Sequence, residues 1–98
     1  MTSGNLARLA SSGQLKVEPA ARKELEGLIR LGSRQLADAR KPGLALESRF
    51  DLAYGAAHAF SLAALRWHGY RSDNRYLVFQ CLQHTLGVGP EHWRVLAL

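Results

Sequence analysis

The chain has 98 residues, 47% of them hydrophobic and 21% charged, and its formal net charge is +5. This length fits one domain with a modest core, and no apolar run approaches the ~20 residues of a membrane span. The single cysteine, Cys81, excludes an internal disulfide and a multi-cysteine metal site. The polar first residues lack the apolar segment of a secretory signal, so we expect a cytoplasmic protein without a membrane partner.

The first half of the chain predicts two helices. A short helix over residues 5–11 should end at the Ser-Ser-Gly sequence that follows it. The second helix is expected from Pro19 to Arg40, because proline is favoured in a first helical turn. Its apolar residues recur at helical spacing, and the Lys-Pro-Gly sequence at 41–43 should end it.

The third predicted helix begins at Leu46–Ser48 and ends near Trp67, with Gly69 placed to adopt a left-handed cap. It is rich in alanine and almost wholly apolar. A helix that is apolar on nearly every side belongs at the centre of a bundle, and small side chains let its neighbours approach closely.

The last part of the chain predicts a fourth helix over residues 75–86, capped by Ser72, Asp73 or Asn74. A further helix should start at Pro90 and continue for about two turns to the end of the sequence. The fold class is therefore an all-α, up-and-down bundle of four main helices with a short or truncated fifth, forming one domain over 1–98. We expect the apolar end to meet another copy or a partner through a candidate interface of Trp93, Val95, Leu96 and Leu98.

A polar stripe crosses the apolar third helix. Its members share one side at helical spacing and are Asp51, Tyr54, His58 and Ser61. Polar groups on such a helix need partners or carry out chemistry. The stripe could relay protons or hold a phosphate, but the favoured interpretation is structural, with Tyr54 and His58 hydrogen-bonded to neighbouring helices.

A second cluster of polar residues surrounds the link between the third and fourth helices. Arg66, Arg71 and Arg75 are interleaved there with Trp67 and Tyr70. Arginines beside aromatic rings can bind RNA or a nucleotide through phosphate contacts and stacking. In the alternative, structural interpretation, the aromatic rings pin the link to the core while the arginines stay solvated.

The sequence contains no motif that would make it an enzyme by itself. Its four histidines show no HxxxH or HxH spacing, and GxSxG, GxxxxGK[ST] and GxGxxG are all absent. We therefore predict no metal, no cofactor and no catalytic residue within these 98 residues.

The second half of the chain resembles the HEPN family (higher eukaryotes and prokaryotes nucleotide-binding). In that family an alanine-rich central helix opens with a similar pattern, and a glycine turn leads to a helix ending in His-Thr or a similar pair. The matching positions are Arg49, Phe50, Asp51, Ala53, Tyr54, Ala56, Ala57, Gly69, Tyr70, His84 and Thr85. The resemblance implies a helical bundle that is often dimeric.

Three functional hypotheses follow from these residues together with the resemblance. The leading one is a non-enzymatic HEPN-like module that forms a homodimer or binds a protein such as a small nucleotidyltransferase. The second is a ribonuclease or toxin whose Arg-His motif lies beyond residue 98. Here Arg49 and His58, like Arg75 and His84, are separated by eight residues, whereas the family motif has four to six. The third is nucleotide or RNA binding without catalysis, through Arg66, Arg71 and Arg75.

Overall fold

The computed structural model describes residues 2–96, with side chains from 4 to 95, and it confirms the all-α prediction. Two two-residue strands, β1 and β2, form one antiparallel pair. The elements in chain order are α1 (Thr2–Ser11), β1 (Lys16–Val17), α2 (Arg22–Ala39), α3 (Leu46–Trp67), β2 (Tyr70–Arg71), α4 (Arg75–Gln80), α5 (Leu82–Thr85) and α6 (Pro90–Leu96). None of these helices is long and apolar enough to cross a membrane.

The two long helices, α2 and α3, form an antiparallel pair. Arg49 near the start of α3 donates a 2.8 Å hydrogen bond to the carbonyl oxygen of Ala39 at the end of α2. The helices approach closely because glycines face their neighbours' side chains. A Cβ atom at Gly32 would lie 2.7 Å from Cε1 of Phe60, and one at Gly55 would lie 2.8 Å from Nε2 of Gln35.

The core consists of two clusters of buried side chains on the side of α3 that faces α4 and α5. The first joins α1 and the segment after it to α3 and α4, and comprises Leu6, Leu15, Leu65, Leu77, Val78 and Cys81. The second comprises Phe79, Leu82 and Trp93 and holds α6 against α4 and α5. The short helices are therefore stabilised by packing, since helices of this length are unstable alone.

Part of the candidate C-terminal interface belongs to this core, so that prediction was wrong for Trp93. Its side chain is only 3% exposed, and its ring packs edge-on against Tyr76 at 5.6 Å. The helix α6 folds back onto its own domain and buries the indole there. Val95 is exposed, whereas Leu98 and the side chain of Leu96 lie outside the described residues.

Three predicted helix boundaries also differ from the structure, and the first is the start of α1, which lies at Thr2 rather than at residue 5. The second helix begins at Arg22 rather than Pro19, because the preceding segment is held extended by tertiary hydrogen bonds. The backbone N–H of Glu18 donates to the carbonyl oxygen of Gly69 at 2.9 Å, next to the β1–β2 pair. The predicted fourth helix is divided at Cys81 into α4 and α5. There the N–H of His84 donates a 2.8 Å hydrogen bond to the Cys81 carbonyl oxygen three residues earlier, which tightens the helical turn.

Candidate functional site

The polar stripe on α3 does not form one site. At one end Asp51 is exposed, and at the other Ser61 is buried and donates its hydroxyl to the Ala57 carbonyl oxygen in its own helix at 2.7 Å. The middle residues meet a common neighbour, since the rings of Tyr54 and His58 pack edge-on against Phe79 at 5.6 and 5.7 Å. Within residues 4–95 no hydrogen bond joins one member of the stripe to another, so no proton relay is assembled.

Electrostatics around His58 favour its neutral form. Burial lowers the pKa of His58 below its ordinary value of 6.5, and the positive charge of Arg75 lowers it further. The Arg75 guanidinium carbon lies 5.6 Å from the centre of the Tyr54 ring, which is cation–π distance. A neutral imidazole that meets no carboxylate within residues 4–95 fits a packing role better than general acid–base catalysis.

Arg66 has a different position from the one expected for a phosphate ligand. Its side chain is 1% exposed, and all five of its N–H groups donate to internal acceptors. Two bonds reach the Glu24 carboxylate at 2.7 and 2.9 Å, and the other three reach the carbonyl oxygens of Glu18, Pro19 and Tyr70. No N–H of this guanidinium remains for an external phosphate.

Arg71 belongs to the same network. It donates to the carboxylates of Glu18 at 2.7 Å and Glu24 at 2.9 Å. The pKa of Glu24 lies below its ordinary value of 4.5, chiefly because of its hydrogen bond from Arg66, although burial opposes this. We call Glu18, Glu24, Arg66 and Arg71 the ionic clasp, because they tie the entry to α2 to the end of α3 and to β2. Of the three arginines singled out from the sequence, only Arg75 lies outside the clasp.

An apolar line along α3 has large exposed side chains at both of its ends. Its spacing alternates between four and three residues, the repeat with which one helix packs against another. We call this line the α3 seam, and its members are Leu46, Phe50, Ala53, Ala57, Phe60, Ala64 and Trp67. Leu46, Phe50 and Trp67 are 80%, 67% and 74% exposed, so no element among the described residues covers the two ends of the seam.

Both ends of the seam border a hollow. At the carboxyl end, exposed Ile29 of α2 and Leu86 flank Ala64 and Trp67 around an apolar hollow of about 250 Å³. At the amino end, Leu46, Glu47, Phe50 and Asp51 line a hollow of about 500 Å³. Large apolar patches bordered by polar groups are typical of protein–protein contact sites. The seam was not among the predicted sites, although its alternating spacing is visible in the sequence.

The remaining reactive groups do not assemble a catalytic or metal site. Burial raises the pKa of the Cys81 thiol to about 11, which keeps it protonated and unreactive at neutral pH. Over the part of the chain that the structure describes, no three His, Cys, Asp or Glu residues cluster closely enough to bind a metal ion.

No model of a known protein family, no curated protein and no solved structure matches this chain. Membership of the HEPN family therefore stays a prediction based on the residues of the second half.

Proposed function

We propose that this protein is a non-enzymatic helical interaction module, HEPN-like in organisation, that acts by binding a protein through the α3 seam. The observation that carries the proposal is the exposure of Leu46, Phe50 and Trp67 along one line of the central helix. An exposed Leu is ordinary, but several large apolar side chains aligned on one helix face are not.

The chemistry of the other candidate sites supports this choice. The ionic clasp uses every N–H of Arg66 internally, and His58 packs against Phe79 beside the positive charge of Arg75. These groups serve stability and packing within the described fold. The α3 seam differs from these groups, because covering its apolar side chains with another protein removes apolar area from water and so favours binding.

Site-specific photo-crosslinking tests the proposal. A photoreactive phenylalanine analogue replaces Trp67, which is exposed at the seam, and the cells that express the protein are irradiated. The matched control places the same analogue at Arg30, which is exposed on α2 and does not line the hollow beside Trp67. We expect a defined protein adduct from position 67 and none from position 30. Absence of an adduct at position 67, or the same adducts at both positions, would overturn the proposal.

A further inference from the structure

We propose that Arg8, Asn5 and His84 form a pH-sensitive latch, which holds α1 on α5 while the His84 imidazole is neutral and releases it when the imidazole is protonated. The Nδ1 atom of His84 in α5 lies 3.3 Å from the side-chain nitrogen of Asn5 in α1. Within residues 4–95 this is the only hydrogen bond that joins α1 to another helix or strand. The polar attachment of α1 therefore depends on one titratable group.

The hydrogen bond between Asn5 and His84 has a fixed direction. An amide nitrogen can only donate, so the Nδ1 atom of His84 accepts and carries no proton. The amide of Asn5 is held in this orientation, because its oxygen accepts a 2.6 Å hydrogen bond from Nη2 of Arg8. Donation thus runs from Arg8 to Asn5 and from Asn5 to His84, and it requires a neutral imidazole.

Protonation of His84 breaks this series of bonds in either orientation of the Asn5 amide. An imidazolium donates from both ring nitrogens, so its Nδ1–H would meet the amide NH2 group of Asn5, one donor against another. Turning the amide over would offer its oxygen to His84 but would place the NH2 group against the guanidinium of Arg8. A part-buried donor without an acceptor costs free energy, which favours the open arrangement.

The surroundings of His84 also oppose its charged form. Burial lowers the pKa of His84 below its ordinary value of 6.5, and the positive charge of Arg8 lowers it further. The other elements packed against α5 bring uncharged side chains to the neighbouring clusters, namely Leu65 from α3, Val78 from α4 and Trp93 from α6. Within residues 4–95 no carboxylate lies at ion-pair distance from His84. Because the pKa is lowered in the fold, the stabilisation by neutral His84 is complete above pH 6.5 and is lost as the pH falls through the lowered pKa.

Release of α1 uncovers one side of the core. Leu6 of α1 is fully buried in the cluster that contains Leu77 and Cys81. Cys81 lies three residues before His84, so the two side chains share the side of the chain that α1 covers. The latch therefore couples the pH to the exposure of an apolar surface and of the single thiol in the sequence.

The test measures how well the fold protects the Cys81 thiol at two pH values. The probe is 4,4′-dithiodipyridine, which labels thiols in acid as well as at neutral pH. The labelling rate of the folded protein is divided by that of the urea-unfolded protein at the same pH. We expect this ratio to rise about tenfold from pH 7.5 to pH 5, the effect of losing one hydrogen bond and leaving its donors unpaired.

Two variants separate His84 from the other histidines. In His84→Asn the amide oxygen can replace Nδ1 as the acceptor but is not protonated in this pH range, so the ratio should stay nearly constant. His92→Asn, which changes an exposed histidine of α6, is the matched control and should keep the wild-type rise. If His84→Asn does not fold, Asn5→Ala replaces it. That variant removes the donor and should raise the ratio at pH 7.5 to nearly the wild-type ratio at pH 5.

Three results would overturn the inference. The first is a wild-type ratio that is the same at both pH values. The second is a rise in His84→Asn equal to that of the wild type, or no effect of Asn5→Ala. The third is a rise equal to the increase in the global unfolding constant, measured by urea denaturation at the same two pH values. The whole fold, rather than α1 alone, would then open in acid.

Discussion

Removing the guanidinium of Arg66 should destabilise the fold more than any other single charge change. In Arg66→Met the side chain is kept only as far as the position of Nε, so five hydrogen bonds are lost and three backbone carbonyls lose a donor. Breaking a buried ion pair by removing one partner costs about 3–5 kcal/mol. We expect a value near the lower end, about 3 kcal/mol, because Glu24 keeps Arg71 at 2.9 Å and is partly exposed to water.

Urea denaturation followed by circular dichroism measures this loss. A total stability of about 5–15 kcal/mol is usual for a domain, so the variant should unfold at a much lower urea concentration. Arg30→Met is the matched control, since Arg30 is exposed and forms no ion pair within residues 4–95. It should change the free energy of unfolding by less than about 0.5 kcal/mol. Equal effects of the two substitutions would refute the stabilising role of the clasp.

Three further predictions concern acid stability, helix packing and a histidine. The pKa of Glu24 is lowered below 4.5 in the fold, so the stabilisation by its carboxylate is present above pH 4.5 and is lost as the pH falls through the lowered pKa. Glu24→Gln should therefore flatten this acidic part of the plot of unfolding free energy against pH. An unchanged plot would contradict a stabilising role for the Glu24 carboxylate. Gly27→Ala should stabilise α2 by about 0.5–1 kcal/mol, because a Cβ atom there meets nothing within 4 Å. Gly32→Ala should destabilise the fold by about 1 kcal/mol, because its Cβ atom would meet the ring of Phe60. Equal shifts in the melting temperatures of the two glycine variants would exclude the close approach of α2 and α3 at Gly32. Arg75→Gln should raise the pKa of His58 in an NMR titration, since the arginine's charge lowers it, and no change would refute that coupling.

The long helices were predictable because their signals are local. The Lys-Pro-Gly sequence and the dense apolar content predicted a helix that starts at Leu46–Ser48 and ends near Trp67, which agrees with the observed α3 at Leu46–Trp67. Its central position also followed from composition, since such a helix must be covered on several sides. The two-residue strands were not predictable, because a pairing this short contains no period-two pattern.

The ionic clasp and the position of Trp93 depend on long-range contacts that no local pattern specifies. Arg66 meets Glu24 across 42 positions of sequence, and the same bonds hold Glu18 and Pro19 extended against the helix preference of proline. A signal did exist, since a charged residue inside an apolar helix needs a buried partner. Trp93 was assigned to an exposed end because the fold-back of α6 is not visible in its own seven residues.

Acrylamide quenching of tryptophan fluorescence in the purified protein tests the exposure of the α3 seam most directly. Only two tryptophans are present, and Trp93 is buried within its own domain, so quenching reports mainly on Trp67 at the end of the seam. We expect strong quenching with red-shifted emission, because the Trp67 side chain is 74% exposed. Weak quenching with blue-shifted emission, as expected if both indoles were buried, would contradict an exposed seam.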